Sequence, residues 1–205
     1  EAKVAQISSG ASPVEDISDI QLQTALASGA YRVSTDFSAV AQASVITVCV
    51  PTPLDKKREP DLSLLRSAVK AVAPFIAHET LVISESTSYP GTLRDVIIPI
   101  VDSLKSNDAL TIYFASAPER VNPGDLIWNQ KNTPRLYSGL TPEASEKTRA
   151  FYSKFCDNLI EVSSSSATTL TIPTNATVSK YMMERLNLRY RNYYLLNHKM
   201  CLTIP

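Results

Sequence analysis

The sequence has little of what marks several common classes of protein. Only His78 and His198 are histidines, so a histidine-rich metal site has almost no donors to draw on. The three cysteines, Cys49, Cys156 and Cys201, lie far apart and form neither a disulfide framework nor a zinc spacing. That usage fits a reduced, cytoplasmic compartment. No apolar run approaches the length of a membrane span, and the start lacks the basic-then-apolar order of a secretion signal. The 20 basic and 20 acidic residues cancel to zero net charge, which argues against a nucleic-acid surface. Glycine is scarce: Gly10, Gly29, Gly91, Gly124 and Gly139 stand too far apart to build a G-x-G-x-x-G turn. The first residue is Glu1 rather than Met, as in a fragment or a processed start.

What is present is the profile of a globular domain. Hydrophobic residues make up 44% and charged residues 20% of 205, enough for one large domain. Val45 to Val50 (VITVCV), Leu81 to Ser84 (LVIS) and Leu110 to Ala115 (LTIYFA) are short apolar runs, the pattern of strands buried on both faces. Leu159 to Val162 is a shorter candidate. Between them Leu62, Leu65, Val69, Val72, Ala73 and Ile76 recur at helical steps, with Asp61 placed to cap the first turn. A second helix is expected from about Thr92 to Lys105, irregular at Pro99. A third opens with Thr141-Pro142-Glu143 and runs to about Phe155. Ile20 to Ala27 reads as a helix stopped at Gly29. Such alternation predicts an α/β fold with a parallel sheet wound by right-handed crossovers.

In open α/β sheets ligands bind beyond the carboxyl ends of the strands. Three successive runs are followed there by Pro51-Thr52-Pro53, by Glu85 to Thr92 (ESTSYPGT), and by Ser116-Ala117-Pro118-Glu119-Arg120. Each segment alone reads as ordinary turn chemistry. Asp55 to Glu59 reads as a solvated loop, Cys49 as a packed core thiol, and Tyr89 and Tyr113 as packing residues. Composition and periodicity stop at a nucleotide-binding-like α/β domain without a substrate.

Taken together, VCVPTPLDKKREPDLS (48–63), ISESTSYPGTLRDVIIPI (83–100) and SAPERVNPGD (116–125) resemble the UDP-glucose/UDP-N-acetylhexosamine dehydrogenase family. The REPDLS and Tyr-Pro-Gly-Thr forms, and Pro123 where UDP-glucose enzymes carry a second glutamate, are most similar to its UDP-N-acetylglucosamine 6-dehydrogenase branch. UDP-glucose and UDP-N-acetylmannosamine 6-dehydrogenases are the alternatives. The resemblance implies a Rossmann-like NAD-binding domain and two-step oxidation of the sugar C6 hydroxyl to the uronate. Held in register, the nicotinamide would meet C6, and a cysteine would carry the aldehyde covalently. It implies that Pro51, Thr52, Ser86 and Thr87 face NAD. Thr87 and Glu119 would be the catalytic residues acting on the hydrolytic water. Glu119 and Arg120 would lie against the UDP-sugar, and the full-length parent would be a homodimer or larger.

The sequence also departs from that family. The Gly-rich turn and the first strand are missing, so the expected domain is incomplete over residues 1–166. Residues 167–205 do not match the family's lysine- and asparagine-bearing helix, and Cys201 lacks the Gly-rich context of the family's thiol. That tail reads either as a frame-shifted segment or as a linker helix with Met182, Leu186, Tyr190 and Tyr193 or Tyr194 on one face. The chain on its own is therefore expected to be inactive, with an exposed strand edge that lowers its solubility. A binding module or a decayed gene product is the rival reading.

Overall fold

A computed structural model describes residues 2–14, 17–54, 56, 60–86, 88, 91–118, 129–162 and 203–204. The expectations for the tail helix and for Cys201 fall outside the described residues.

Strands β1 (Val45–Val48), β2 (Leu81–Ser84) and β3 (Tyr113–Ser116) pair in parallel, with Val45 opposite Leu81 and Leu81 opposite Tyr113. Beyond β3 lies β4 (Arg135–Gly139), antiparallel to it, and then β5 (Leu159–Glu161), parallel to β4. On the other side of β1, β6 (Thr203–Ile204) pairs antiparallel with Val45 and Ile46. The sheet order is β5-β4-β3-β2-β1-β6. It is mostly parallel, a Rossmann-like arrangement.

Strand alternation sends neighbouring residues to opposite faces. Ile46, Val48 and Val82 join one core with Leu65, Val69 and Val72 of α3 (Ser63–Val72) and Ile100 and Val101 of α4 (Ile98–Leu104). Leu81, Ile83, Ala115 and Ala117 join the other, with Phe151 and Tyr152 of α5 (Pro142–Tyr152).

The helices form where the sequence places them. Asp61, expected to cap α3, lies one residue before its N-cap Leu62, which has no side-chain cap; Asp61 Oδ1 accepts from the amide of Ser63, the first helical residue, at 2.8 Å. Ser18 and Gln21 form a reciprocal cap on α2 (Asp19–Ala27), which is followed by Gly29 at φ 72°. Thr141 Oγ1 accepts from the Ala144 amide at 3.2 Å, with Pro142 in the first turn of α5. The irregularity expected at Pro99 is a π-helical turn over Thr92–Ile97. There the Ile98 amide reaches back five residues to the Leu93 carbonyl, and α-helix resumes at Ile98, followed at once by Pro99, which has no N–H to extend the wide turn.

Three features differ from the sequence reading. β3 starts at Tyr113, not at 110. Helix α1 (Ala2–Ser8) was not foreseen: it buries only Ile7, too little apolar surface to leave a periodic signal. β4 was not foreseen either, and it reverses the otherwise parallel run from β1 to β5. Its first residue is a buried arginine, which no apolar pattern announces. Its last, Gly139, sits directly beneath the first turn of α5. A Cβ there would collide with the backbone nitrogen of Ser145.

Candidate functional site

The parallel strands deliver three loops to one edge of the sheet: Cys49-Val50-Pro51-Thr52 after β1, Glu85-Ser86 after β2 and Ala117-Pro118 after β3. Pro51, Thr52 and Pro118 are half-buried, at the boundary between core and solvent. The loop after β1 returns on itself. The Asp61 amide donates to the Pro53 carbonyl at 2.7 Å, and Leu54 bridges Pro60.

Ser86 ties the second loop to the first. Its Oγ donates to the Val50 carbonyl at 2.8 Å and accepts from the Val50 amide at 2.9 Å. The amides of Glu85 and Ser86 both donate to the Val48 carbonyl, at 3.1 and 3.3 Å. Ser86 is itself buried, so its hydroxyl acts as a brace that fixes where Pro51 and Thr52 leave the sheet.

Behind the loops lies a polar cluster built around the buried side chains of Arg135 and Tyr152. Arg135 Nη1 bridges Glu85 Oε1 at 3.3 Å and the Ala117 carbonyl at 3.1 Å. Its Nη2 donates to Gln130 Oε1 at 2.6 Å. The guanidinium carbon sits 4.5 Å from the centroid of the Tyr152 ring, a cation–π contact. The Tyr152 hydroxyl donates to Glu85 Oε1. Cys49 Sγ donates to Glu85 Oε2 at 3.2 Å, and Cys156 Sγ to the Gln130 carbonyl at 3.3 Å.

Burial, reinforced by the Glu85 carboxylate, pushes the Tyr152 phenol far above its ordinary range, so it is a neutral donor. Burial also raises the Cys156 thiol, with Arg135 opposing it. Cys49 is thus not the packed core thiol of the sequence reading. It is half-buried at a strand end, on a carboxylate.

Of the residues singled out from the sequence, Pro51, Thr52 and Ser86 are brought together at this edge. Thr87, Glu119 and Arg120, with Tyr89, lie outside the described residues. Sequence reasoning missed Arg135, Gln130 and Tyr152. Only Glu85 gave a signal, as an acid between a strand and a hydroxyl-rich loop. A separate hollow of about 500 Å³ is lined by Ser138, Thr141, Ser145 and Glu161. Thr141 already caps α5 there, and the hollow is lined by none of the residues of the loops after β1, β2 and β3. No group of three or more His, Cys, Asp or Glu among the described residues could hold a metal ion.

Comparison with known proteins agrees with this geometry. The profile of the UDP-glucose/GDP-mannose dehydrogenase family, NAD-binding domain, matches residues 1–156. A UDP-N-acetyl-D-glucosamine 6-dehydrogenase of Pseudomonas aeruginosa is 34% identical over 110 residues, covering 53% of this chain and 26% of that protein. A UDP-N-acetyl-D-mannosamine dehydrogenase of Methanococcus maripaludis is 30% identical over 165 residues, covering 78% of this chain and 36% of that protein. Among solved structures, a UDP-N-acetylmannosamine dehydrogenase of Pyrococcus horikoshii superposes with a TM-score of 0.74 at 26% identity, over 90% of this chain and 43% of that one. The chain spans between 26% and 36% of the length of the curated relatives it matches. The profile match over most of the chain, on a Rossmann-like sheet with its loops at one edge, shows that the chain belongs to the UDP-glucose/GDP-mannose dehydrogenase family and carries its NAD-binding domain.

Proposed function

We propose that this chain is the cofactor-side portion of a UDP-N-acetylhexosamine 6-dehydrogenase, with UDP-N-acetylglucosamine as substrate. The observation that carries the reading is the alignment of the loops after β1, β2 and β3 at one sheet edge, cross-braced by Ser86. The sequence forms REPDLS and Tyr-Pro-Gly-Thr support the N-acetylglucosamine branch.

The described residues suit one end of a dinucleotide. Pro51 and Thr52 form a half-buried shelf with a hydroxyl, held by Ser86, at a strand end where the sheet binds ligands. A pyrophosphate cradle would need a glycine turn, and none of the five glycines in these 205 residues supplies one. NAD, when bound, accepts hydride from the sugar carbon. Turning a primary alcohol into a carboxylate removes two hydrides and takes one oxygen from water. Thr52 would hydrogen-bond the cofactor, and Ser86 would act through the loop it holds. Thr87 would place the water, Glu119 would orient or deprotonate it, and Arg120 would lie on the sugar side. The full-length protein would act in the cytoplasm as a homodimer or larger.

The test is NADH formation by the full-length natural protein that carries this chain. UDP-N-acetylglucosamine, UDP-N-acetylmannosamine, UDP-glucose and GDP-mannose would be offered in turn. Preferential turnover of the first supports the reading; turnover of UDP-glucose alone overturns the branch. The isolated 205-residue chain is expected to make no NADH, for want of the glycine turn.

A further inference from the structure

We infer that Glu85, Arg135 and Tyr152 form a positioning clip that holds the three candidate loops in register, so that Arg135, remote in sequence from all three, sets the geometry of the dehydrogenase site. The inference rests on the reading of that edge as the cofactor side. Glu85 directly follows β2 and precedes the brace residue Ser86. Its two carboxylate oxygens are shared between loops: Oε2 accepts from Cys49 after β1, and Oε1 from Arg135 of β4 and Tyr152 of α5. Arg135 extends the same link to the Ala117 carbonyl after β3. One carboxylate and one guanidinium therefore connect the ends of β1, β2 and β3 to an element that carries no candidate loop.

The arrangement is built rather than incidental. The Arg135 side chain is 5% exposed and Glu85 16%, so the pair is little screened by solvent. The guanidinium is planar and forked, which lets it meet a carboxylate, a carbonyl and an amide oxygen at once; a lysine ammonium is a point charge and could not hold all three in plane. The backbone carbonyl of Gln130 accepts from the Cys156 thiol, which ties the far side of the fork to the end of α5 through the Gln130 main chain. An aliphatic side chain at 135 would satisfy packing but leave the Ala117 loop and Glu85 without their shared donor.

The test compares the full-length natural protein with its Arg135→Met, Arg135→Lys and Tyr152→Phe forms. Leu65→Ala, in the opposite core, serves as a control for general destabilisation. Hydrogen exchange is followed in peptides covering 45–52, 81–86 and 113–118, and kcat and KM are measured with a nucleotide sugar and NAD. In Arg135→Met, exchange should rise in those peptides well beyond the control, and kcat should fall at least tenfold with the sugar KM changed less than threefold. Arg135→Lys should recover part of both. Tyr152→Phe keeps the ring beneath the guanidinium and should give a smaller effect of the same kind, which serves if Arg135→Met does not fold. Exchange no faster than in Leu65→Ala, or an unchanged kcat, would overturn the clip. If the unaltered protein oxidises no nucleotide sugar, the dehydrogenase reading fails separately. Hydrogen exchange then decides the clip alone: selective loosening of the three strand ends supports it, and uniform loosening overturns it.

Discussion

The two faces of this sheet are built on different physical principles. The buried core under α3 and α4 is aliphatic: Ile46, Val48, Leu65, Val69, Val72, Val82, Ile97 and Val101 lie in it, with Phe114 half-buried against it. The face covered by α5 is aromatic and ionic. Phe151, Tyr152 and Phe155 meet edge to face with centroids 4.9 to 5.5 Å apart, and the Arg135 guanidinium lies over Tyr152. Aliphatic burial is non-directional and tolerates small volume changes. A buried ion pair is directional: it adds little net stability over an apolar core, but losing one partner strands the other charge. The aliphatic face holds the domain together, whereas the ionic face sets how the strand ends meet.

The largest expected effect tests that division directly. Arg135→Ala should cost about 3–5 kcal/mol in urea unfolding, because the little-exposed Glu85 carboxylate loses its charge partner. Adding Glu85→Gln should return part of the loss, and strictly additive costs in the double mutant would break the comparison. Next comes a matched pair of small deletions. Tyr152→Phe removes one hydroxyl donated to a carboxylate and should cost about 1.5–3 kcal/mol. Ile46→Val removes one methylene from the aliphatic face and should cost about 0.5–1.5 kcal/mol. Equal costs would mean that the faces differ in chemistry but not in brittleness.

Smaller still is the cap that starts α5. Thr141→Ala leaves the Ala144 amide without its acceptor and should cost about 1 kcal/mol, read as a drop in Tm. The weakest effects come from pH. Asp36, Asp61 and Glu143 are held below the usual carboxylate range by hydrogen bonds. Their contribution is present above the unfolded carboxylate pKa of about 4 and is lost as pH falls through the lower folded values. Tyr152 is shifted the other way, by burial first. Its contribution is complete below the ordinary phenol pKa of about 10 and is lost as pH rises above it. Unfolding midpoints measured across pH should therefore fall at both extremes. In Tyr152→Phe the alkaline decline should flatten and the acid one persist.

The aliphatic face was legible in the sequence. The steps of Leu65, Val69 and Val72, the run Val45 to Val48 and the irregular turn before Pro99 each depend on residues close together in the chain. The ionic face was not. Arg135 and Glu85 are fifty residues apart and Tyr152 is sixty-seven from Glu85, so no local pattern joins them. A lone arginine or glutamate in a sequence reads as solvated. Within the candidate site, Pro51, Thr52 and Ser86 were visible because ligand-facing loops follow parallel strands. The brace that Ser86 makes to Val50 was not visible, since a serine after a strand is ordinary turn chemistry.

From the sequence alone come the α/β class, the positions of β1 and β2 to within two residues, the Thr141 cap of α5 and the family. Local propensity and apolar periodicity act over neighbouring residues and are written there. Only the tertiary structure decided that β4 runs antiparallel to β3 and that a buried arginine on it links three strand ends. Pairing direction and charge burial depend on which groups the fold brings within a few ångströms of one another.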